Sequence, residues 1–144
     1  DALARNGVRY LFIGKSGAVL LGYADTTQDA DVFVEKTPEN GRAIVAALVE
    51  LGFPLKPEHR SEIERGKDFI QLREGPFDLD LVFAPDGIES FSEAEKRSVV
   101  VDDILVCHID DIIRSKEAAG RARDKESLPR LRAFRDWLKK SPPR

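Results

Sequence analysis

Apolar positions in this chain come in short runs between polar turns, and the spacing within the runs changes along the sequence. Residues 8–13 (VRYLFI) form an apolar run that predicts a buried strand, closed by Gly14. Over 15–23, Ala18, Val19, Leu21 and Gly22 suit a short packed helix. A polar loop at 24–28 leads to 29–35 (DADVFVE), which alternates and is rich in Val and Phe, the pattern of a strand. Thr37-Pro38 predicts a helix start, with Thr as N-cap and Pro in the first helical position. Ile44, Val45, Leu48 and Leu51 carry the helical period as far as Gly52, which stops it.

Residues 54–67 form a polar connector with room for a short helix. The stretches 68–73 (DFIQLR) and 77–83 (FDLDLVF) alternate as two strands, and Glu74-Gly75-Pro76 between them predicts a hairpin. Pro85-Asp86-Gly87 marks a turn, followed by a weak helix or loop over 88–97. A second hairpin is expected where 98–101 and 104–107 flank Asp102-Asp103. A helix over 109–119 closes at Gly120, and a last helix over 124–139 turns Leu128, Leu131, Phe134, Trp137 and Leu138 inward before Pro142-Pro143. No repeat and no long linker divides the chain. It reads as one domain over 1–144, with a core at about 8–108 and a helical segment at 109–140. Strands and helices mix without regular βαβ alternation, so the expected class is α+β.

Composition narrows the function classes. A 144-residue chain that is 42% hydrophobic and 34% charged supports a packed core under a charged surface, not wholesale disorder. No apolar run can span a bilayer and no basic-then-apolar leader is visible, so the expectation is a cytoplasmic protein without a membrane partner. One cysteine, Cys107, and two histidines, His59 and His108, exclude a disulfide framework and a Cys/His zinc site. The net charge of −3 hides an asymmetry: residues 1–113 hold 12 Lys/Arg against 22 Asp/Glu, and residues 114–144 hold 11 against 4. Such a basic tail suits a nucleotide or nucleic-acid partner, or a helix that neutralises an acidic body.

The sharpest chemical feature is Asp29-x-Asp31 on one strand with Asp80 on a later one. Strand alternation points Asp29 and Asp31 to the same face, roughly 6–7 Å apart. Carboxylates among apolar strand residues are costly, and two on one face repel. A divalent cation resolves both problems, and magnesium favours a few carboxylate oxygens with substrate phosphates and water. A third carboxylate from Asp80 would complete a two-metal arrangement for nucleotidyl transfer. Asp78, at strand spacing from Asp80, competes for that role. Upstream, Gly14 and a helix opening at Lys15-Ser16-Gly17 offer backbone N–H groups to phosphates. A Walker A loop is a poor match, because six residues of strand material, not four, separate Gly7 from Gly14.

The stretch FIGKSGAVLLGYADTTQDADVFVE resembles the signature of the polymerase-β-like nucleotidyltransferase superfamily. FDLDLVFAPDGIESF looks like the strand that carries its third carboxylate. HIDDIIRSKEAAGRARD is similar to a segment of the small bacterial members, including nucleotidyltransferase-fold toxins of toxin–antitoxin systems. The resemblance covers about residues 8–135. It implies a minimal nucleotidyltransferase fold, a small mixed β-sheet with helices packed on one side. It implies metal ligation by Asp29, Asp31 and Asp80, triphosphate contact by Gly14 and Ser16, and supporting roles for Lys116 and Asp124. Lys15 departs from the family pattern, which has a small residue there; its ammonium would either meet a phosphate or obstruct backbone approach.

The expected reaction moves NMP from an NTP such as ATP or CTP, with Mg²⁺, to an acceptor hydroxyl on RNA such as tRNA or on protein. The alternative is a catalytically degenerate binding module or toxin–antitoxin component with a cognate antitoxin. An antibiotic-modifying enzyme would need an acceptor pocket for which this chain is small. Among the other residues, Arg121 and Arg123 suit phosphate or RNA, or the helix dipole. Asp124 also reads as an N-cap, His108 as structural, His59 as a connector residue, Cys107 as a core thiol and Trp137 as core packing.

Overall fold

Apolar runs without alternation put hydrophobic side chains on both faces of a strand, so helices must cover both. The computed structural model describes residues 2–140. A short helix α1 (Ala2–Arg5) precedes β1 (Tyr10–Phe12), α2 (Gly14–Leu20), β2 (Asp29–Val34), α3 (Pro38–Leu51) and α4 (Pro57–Arg65). The hairpin β3 (Phe69–Leu72) and β4 (Asp78–Val82) follows, then α5 (Phe91–Arg97), the hairpin β5 (Val99–Val101) and β6 (Ile104–Val106), α6 (Ile109–Ala119) and α7 (Ala122–Lys140). The strands make one sheet in the order β3-β4-β2-β1-β6-β5. It is mixed: β2/β4 and β1/β6 are parallel, while β1/β2 and both hairpins are antiparallel. The class is α+β, as the pattern predicts.

The helices do not lie on one side. Tyr10, Val32 and Val34 pack with Ile44 and Leu48 of α3 and Ile63 of α4. On the other parity, Leu11 and Phe33 pack with Phe91 and Ala94 of α5 and Ile112 of α6. The reason is in the central strands themselves: consecutive residues of β1 and β2 are apolar, and both faces need a cover. A third cluster joins α2, α6 and α7 through Ala18, Ile109, Ile113, Leu128 and Leu131.

Local signals explain the element ends. The Thr37 side chain accepts from the Asn40 N–H at 3.1 Å, and Gly52 takes φ 94 to end α3. Asp102 and Asp103, at φ 48 and 66, form the left-handed turn of the β5/β6 hairpin. His108 caps α6, its Nδ1 accepting from the Asp110 N–H at 3.0 Å. Cys107 is fully buried, and burial pushes its thiol up to about 12, so it is an inert core group. Asp111 is fully buried and joins α5 to α6, with Arg97 Nε at 2.8 Å and Arg114 Nη1 at 2.6 Å.

Trp137 corrects the expected inward stripe of the last helix. It is 59% exposed and stacks on Phe134 with ring centroids 6.1 Å apart. Six residues place it about 120° round the helix from Leu131, on the shoulder of the buried stripe and not within it. The Pro142-Pro143 ending lies outside the described residues. Among those described, no helix is long and apolar enough to cross a membrane.

Candidate active site

β2 and β4 run parallel and in register, with Asp29 beside Asp78 and Asp31 beside Asp80. Val32 and Leu79, each one residue out of phase with these acids, belong to the cluster under α3 and α4. The four carboxylates therefore rise from the opposite face, on the parity of Phe33. Asp29 lies exposed at the start of β2, and Asp31 and Asp80 are half-buried one step further along. Burial first, then the hydrogen bond and charge of Asp80, raise the Asp31 carboxyl to about 6; Lys116 and the Ser16 contact oppose the shift.

Gly14 and Ser16 shape the ground beside Asp31. Gly14 has φ 62, a conformation that disfavours side chains. A Cβ built there would lie 2.9 Å from Oδ2 of Asp31, so the turn between β1 and α2 presses bare backbone against that carboxylate. The buried Ser16 hydroxyl accepts from the Asp31 N–H at 2.9 Å and donates to the Ile13 carbonyl at 3.0 Å. It thereby ties the start of α2 to the backbone beneath Asp31, a bond set not visible in the sequence. Lys15 engages the loop before β2, with Nζ 3.4 Å from Oδ2 of Asp25.

From the other side comes α6. Lys116 is mostly buried, and its charge acts on Asp31. Its Nζ lies 3.5 Å from Oδ1 of Asp124, which is 1% exposed and also receives Arg121 Nε at 2.7 Å. Burial opposes ionisation of Asp124, but Arg121 and Lys116 outweigh it and hold the carboxyl below its ordinary range. Asp124 sits within the first turn of α7, which begins at Ala122, so it positions Lys116 instead of standing as the residue before the helix.

One residue of the cluster escapes motif reading. Arg73 follows β3, and its Nη1 lies 2.9 Å from Oδ1 of Asp80. Burial opposes the Arg73 charge, but Asp80, Asp78 and Asp29 outweigh it and raise the pKa. Alternation was the available signal: Ile70 and Leu72 are buried under the sheet, which puts Gln71 and Arg73 on the parity of Asp80. Arg73 also lines a cavity of 140 Å³ with Phe53, His59, Gln71 and Glu74. His59 itself stands at the start of α4, where its Nδ1 accepts from the Lys56 N–H at 3.4 Å.

The donor set can be tested against a divalent cation. Among the described residues, no three His, Cys, Asp or Glu side chains converge as a closed cage. Asp31 and Asp80 do converge as a pair, and Oδ1 of Asp80 is buried without a hydrogen bond. Magnesium commonly binds one or two carboxylates and takes its remaining ligands from substrate phosphates and water. The pair fits that habit, with water or phosphate oxygens completing the shell.

No family model matches the sequence, and no curated protein matches it. Among solved structures, a candidate nucleotidyltransferase from Thermotoga maritima is similar, with a TM-score of 0.57 at 18% identity over 98% of this chain and 88% of that one. At such identity the likeness is one of fold: this chain shares that structure's α+β architecture, here a mixed six-stranded sheet with helices on both faces.

Proposed function

We propose that the chain is a Mg²⁺-dependent nucleotidyltransferase that moves NMP from an NTP, ATP or CTP, to an acceptor hydroxyl. The observation that supports this best is the side-by-side placement of Asp31 and Asp80, with Asp29 at the strand start and the bare Gly14 turn against Asp31. Asp31 and Asp80 would hold the ion together with the triphosphate, and Asp29 would add charge at the open rim. The ion, when bound, neutralises phosphate charge and aligns the α-phosphate for in-line attack. Gly14 lets the triphosphate approach the backbone closely. Lys116, held by Asp124, offsets the negative charge that gathers around Asp31. Asp80 draws the proton from the acceptor hydroxyl as the new O–P bond forms and pyrophosphate leaves. A reaction that draws on an NTP donor suits the cytoplasm, and the basic C-terminal segment suits an acidic acceptor such as a tRNA end, with protein as the second acceptor class.

The competing reading is a degenerate nucleotidyltransferase-like module or toxin–antitoxin component with a cognate antitoxin. It draws on Ser16 and Lys15, both of which already have partners within the chain. Incubation with α-labelled ATP or CTP, Mg²⁺ and a mixture of cellular RNA and protein separates the two. Label transferred to RNA or protein, and lost in the Asp29→Ala/Asp31→Ala double variant, supports the enzyme. No transfer, together with no metal- or NTP-dependent thermal shift, selects the module.

A further inference from the structure

Four carboxylates on two neighbouring strands repel one another, and the cluster must be balanced when no ion is bound. Like charges this close repel strongly at the effective dielectric of a protein surface. The chain supplies one cation directly against the Asp80 end of the cluster. Arg73 Nη1 stands 2.9 Å from Oδ1 of Asp80. That oxygen is buried and has no hydrogen bond, so the contact is one of charge on charge, without the alignment of a built fork. Asp78 and Asp29 act on the same guanidinium. The Arg73 side chain is 41% exposed, so leaving Asp80 sacrifices little packing. It also lines the 140 Å³ cavity together with Glu74.

We propose that Arg73 is a built-in counter-ion that sits on Asp80 in the ion-free protein and swings off it to admit a divalent cation. This rests on the reading of Asp31 and Asp80 as ligands. Arg73 stays charged at any accessible pH, so it is removed from the cluster by competition and not by titration. A resident competitor lowers the apparent affinity for the incoming ion by the fraction of time it occupies the shared ligand. Arg73 thereby keeps the cluster stable when empty and tunes how much free cation is needed to fill it.

The test uses Mn²⁺ as the probe, titrated into the full chain without nucleotide and read by electron paramagnetic resonance. Arg73→Gln is expected to bind Mn²⁺ at least about five-fold more tightly than the unsubstituted chain, with Arg73→Lys between them. Adding Asp31→Asn to either background abolishes the binding, which ties the ion to this cluster. Without metal, Arg73→Gln melts at a lower temperature than the unsubstituted chain, and saturating Mn²⁺ removes the difference. Arg73→Lys carries the comparison should the glutamine variant fail to fold. Asp31-dependent binding that Arg73→Gln leaves unchanged or weakens overturns the counter-ion and leaves the ligand reading intact. No Mn²⁺ binding in any variant, or binding indifferent to Asp31, overturns both.

Discussion

Asp31 stands where two parallel strands and the Gly14 turn meet, and its carboxyl answers to all three. Burial and Asp80 raise it from the ordinary 3.8 to about 6. Between these values the folded chain binds a proton at Asp31 that the unfolded chain has lost. Stability attributable to this residue therefore falls as pH rises from about 4 to about 6, and the full penalty is present above that. We expect Asp31→Asn to stabilise the metal-free chain by about 1–3 kcal/mol at pH 7.5 and to have little effect near pH 4. Urea denaturation of both chains across that range checks it; an equal effect at both ends contradicts the assigned shift. The acidic site was legible at this scale because alternation alone fixes which face each acid takes. The same rule reaches Arg73, whose parity follows from Ile70 and Leu72. The pair of hydrogen bonds made by the Ser16 hydroxyl was not legible, since a hydroxyl's partners depend on how the Gly14 turn meets β2.

Elements carried strong local signals, and those determined most of the fold. The Thr37 cap, the Gly52 stop and the Asp102-Asp103 turn each set a boundary through chemistry within a few residues. α1 was missed, because four residues give no periodicity to read. The placement of helices on both faces was hidden too, since a continuous apolar run says that both faces are covered but not by what. Between-element ties were the least legible. Nothing in the sequence singles out Asp111 in the first turn of α6, yet it is fully buried between Arg97 of α5 and Arg114. Removing Asp111 leaves Arg97 its pair with Glu89 and Arg114 half exposed to water, but it empties a buried site and unties α5 from α6. Asp111→Ala is expected to cost about 1.5–3 kcal/mol by chemical denaturation, more than loss of an exposed pair. A cost under about 1 kcal/mol contradicts the view that this carboxylate locks α5 onto α6.

At the scale of the whole molecule, the question is what the basic C-terminal segment is for. Its charges largely answer nearby acids: Lys139 lies 3.5 Å from Asp110, Arg132 2.9 Å from Glu117 and Arg121 2.7 Å from Asp124. Arg130 lies over the Tyr23 ring and bonds the Ala24 carbonyl at 3.3 Å. The exposed pairs of Lys139 and Arg132 contribute little, about 0–1 kcal/mol each, and Arg121 meets an acid of α7 itself, so charge alone does not seat α7. The seat is the apolar seam of Leu128 and Leu131 against Ala18, Ile109 and Ile113. Through it, α7 brings Asp124 to Lys116, so the site on the sheet depends on a segment that follows it in the chain. Leu131→Ala, at a position 1% exposed, is expected to cost about 2–4 kcal/mol, and Trp137→Ala, at one 59% exposed, under about 1 kcal/mol. Salt separates seam from charge. Raising NaCl from about 0.05 M to about 0.5 M shortens the screening length from about 14 Å to about 4 Å and removes most of the surface attraction. If the seam holds α7, the cost of Leu131→Ala is the same at both concentrations within about 0.5 kcal/mol. A cost that collapses in high salt would mean that the acidic body holds its basic helix by charge, and that Lys116 is positioned only as firmly as the ionic strength allows.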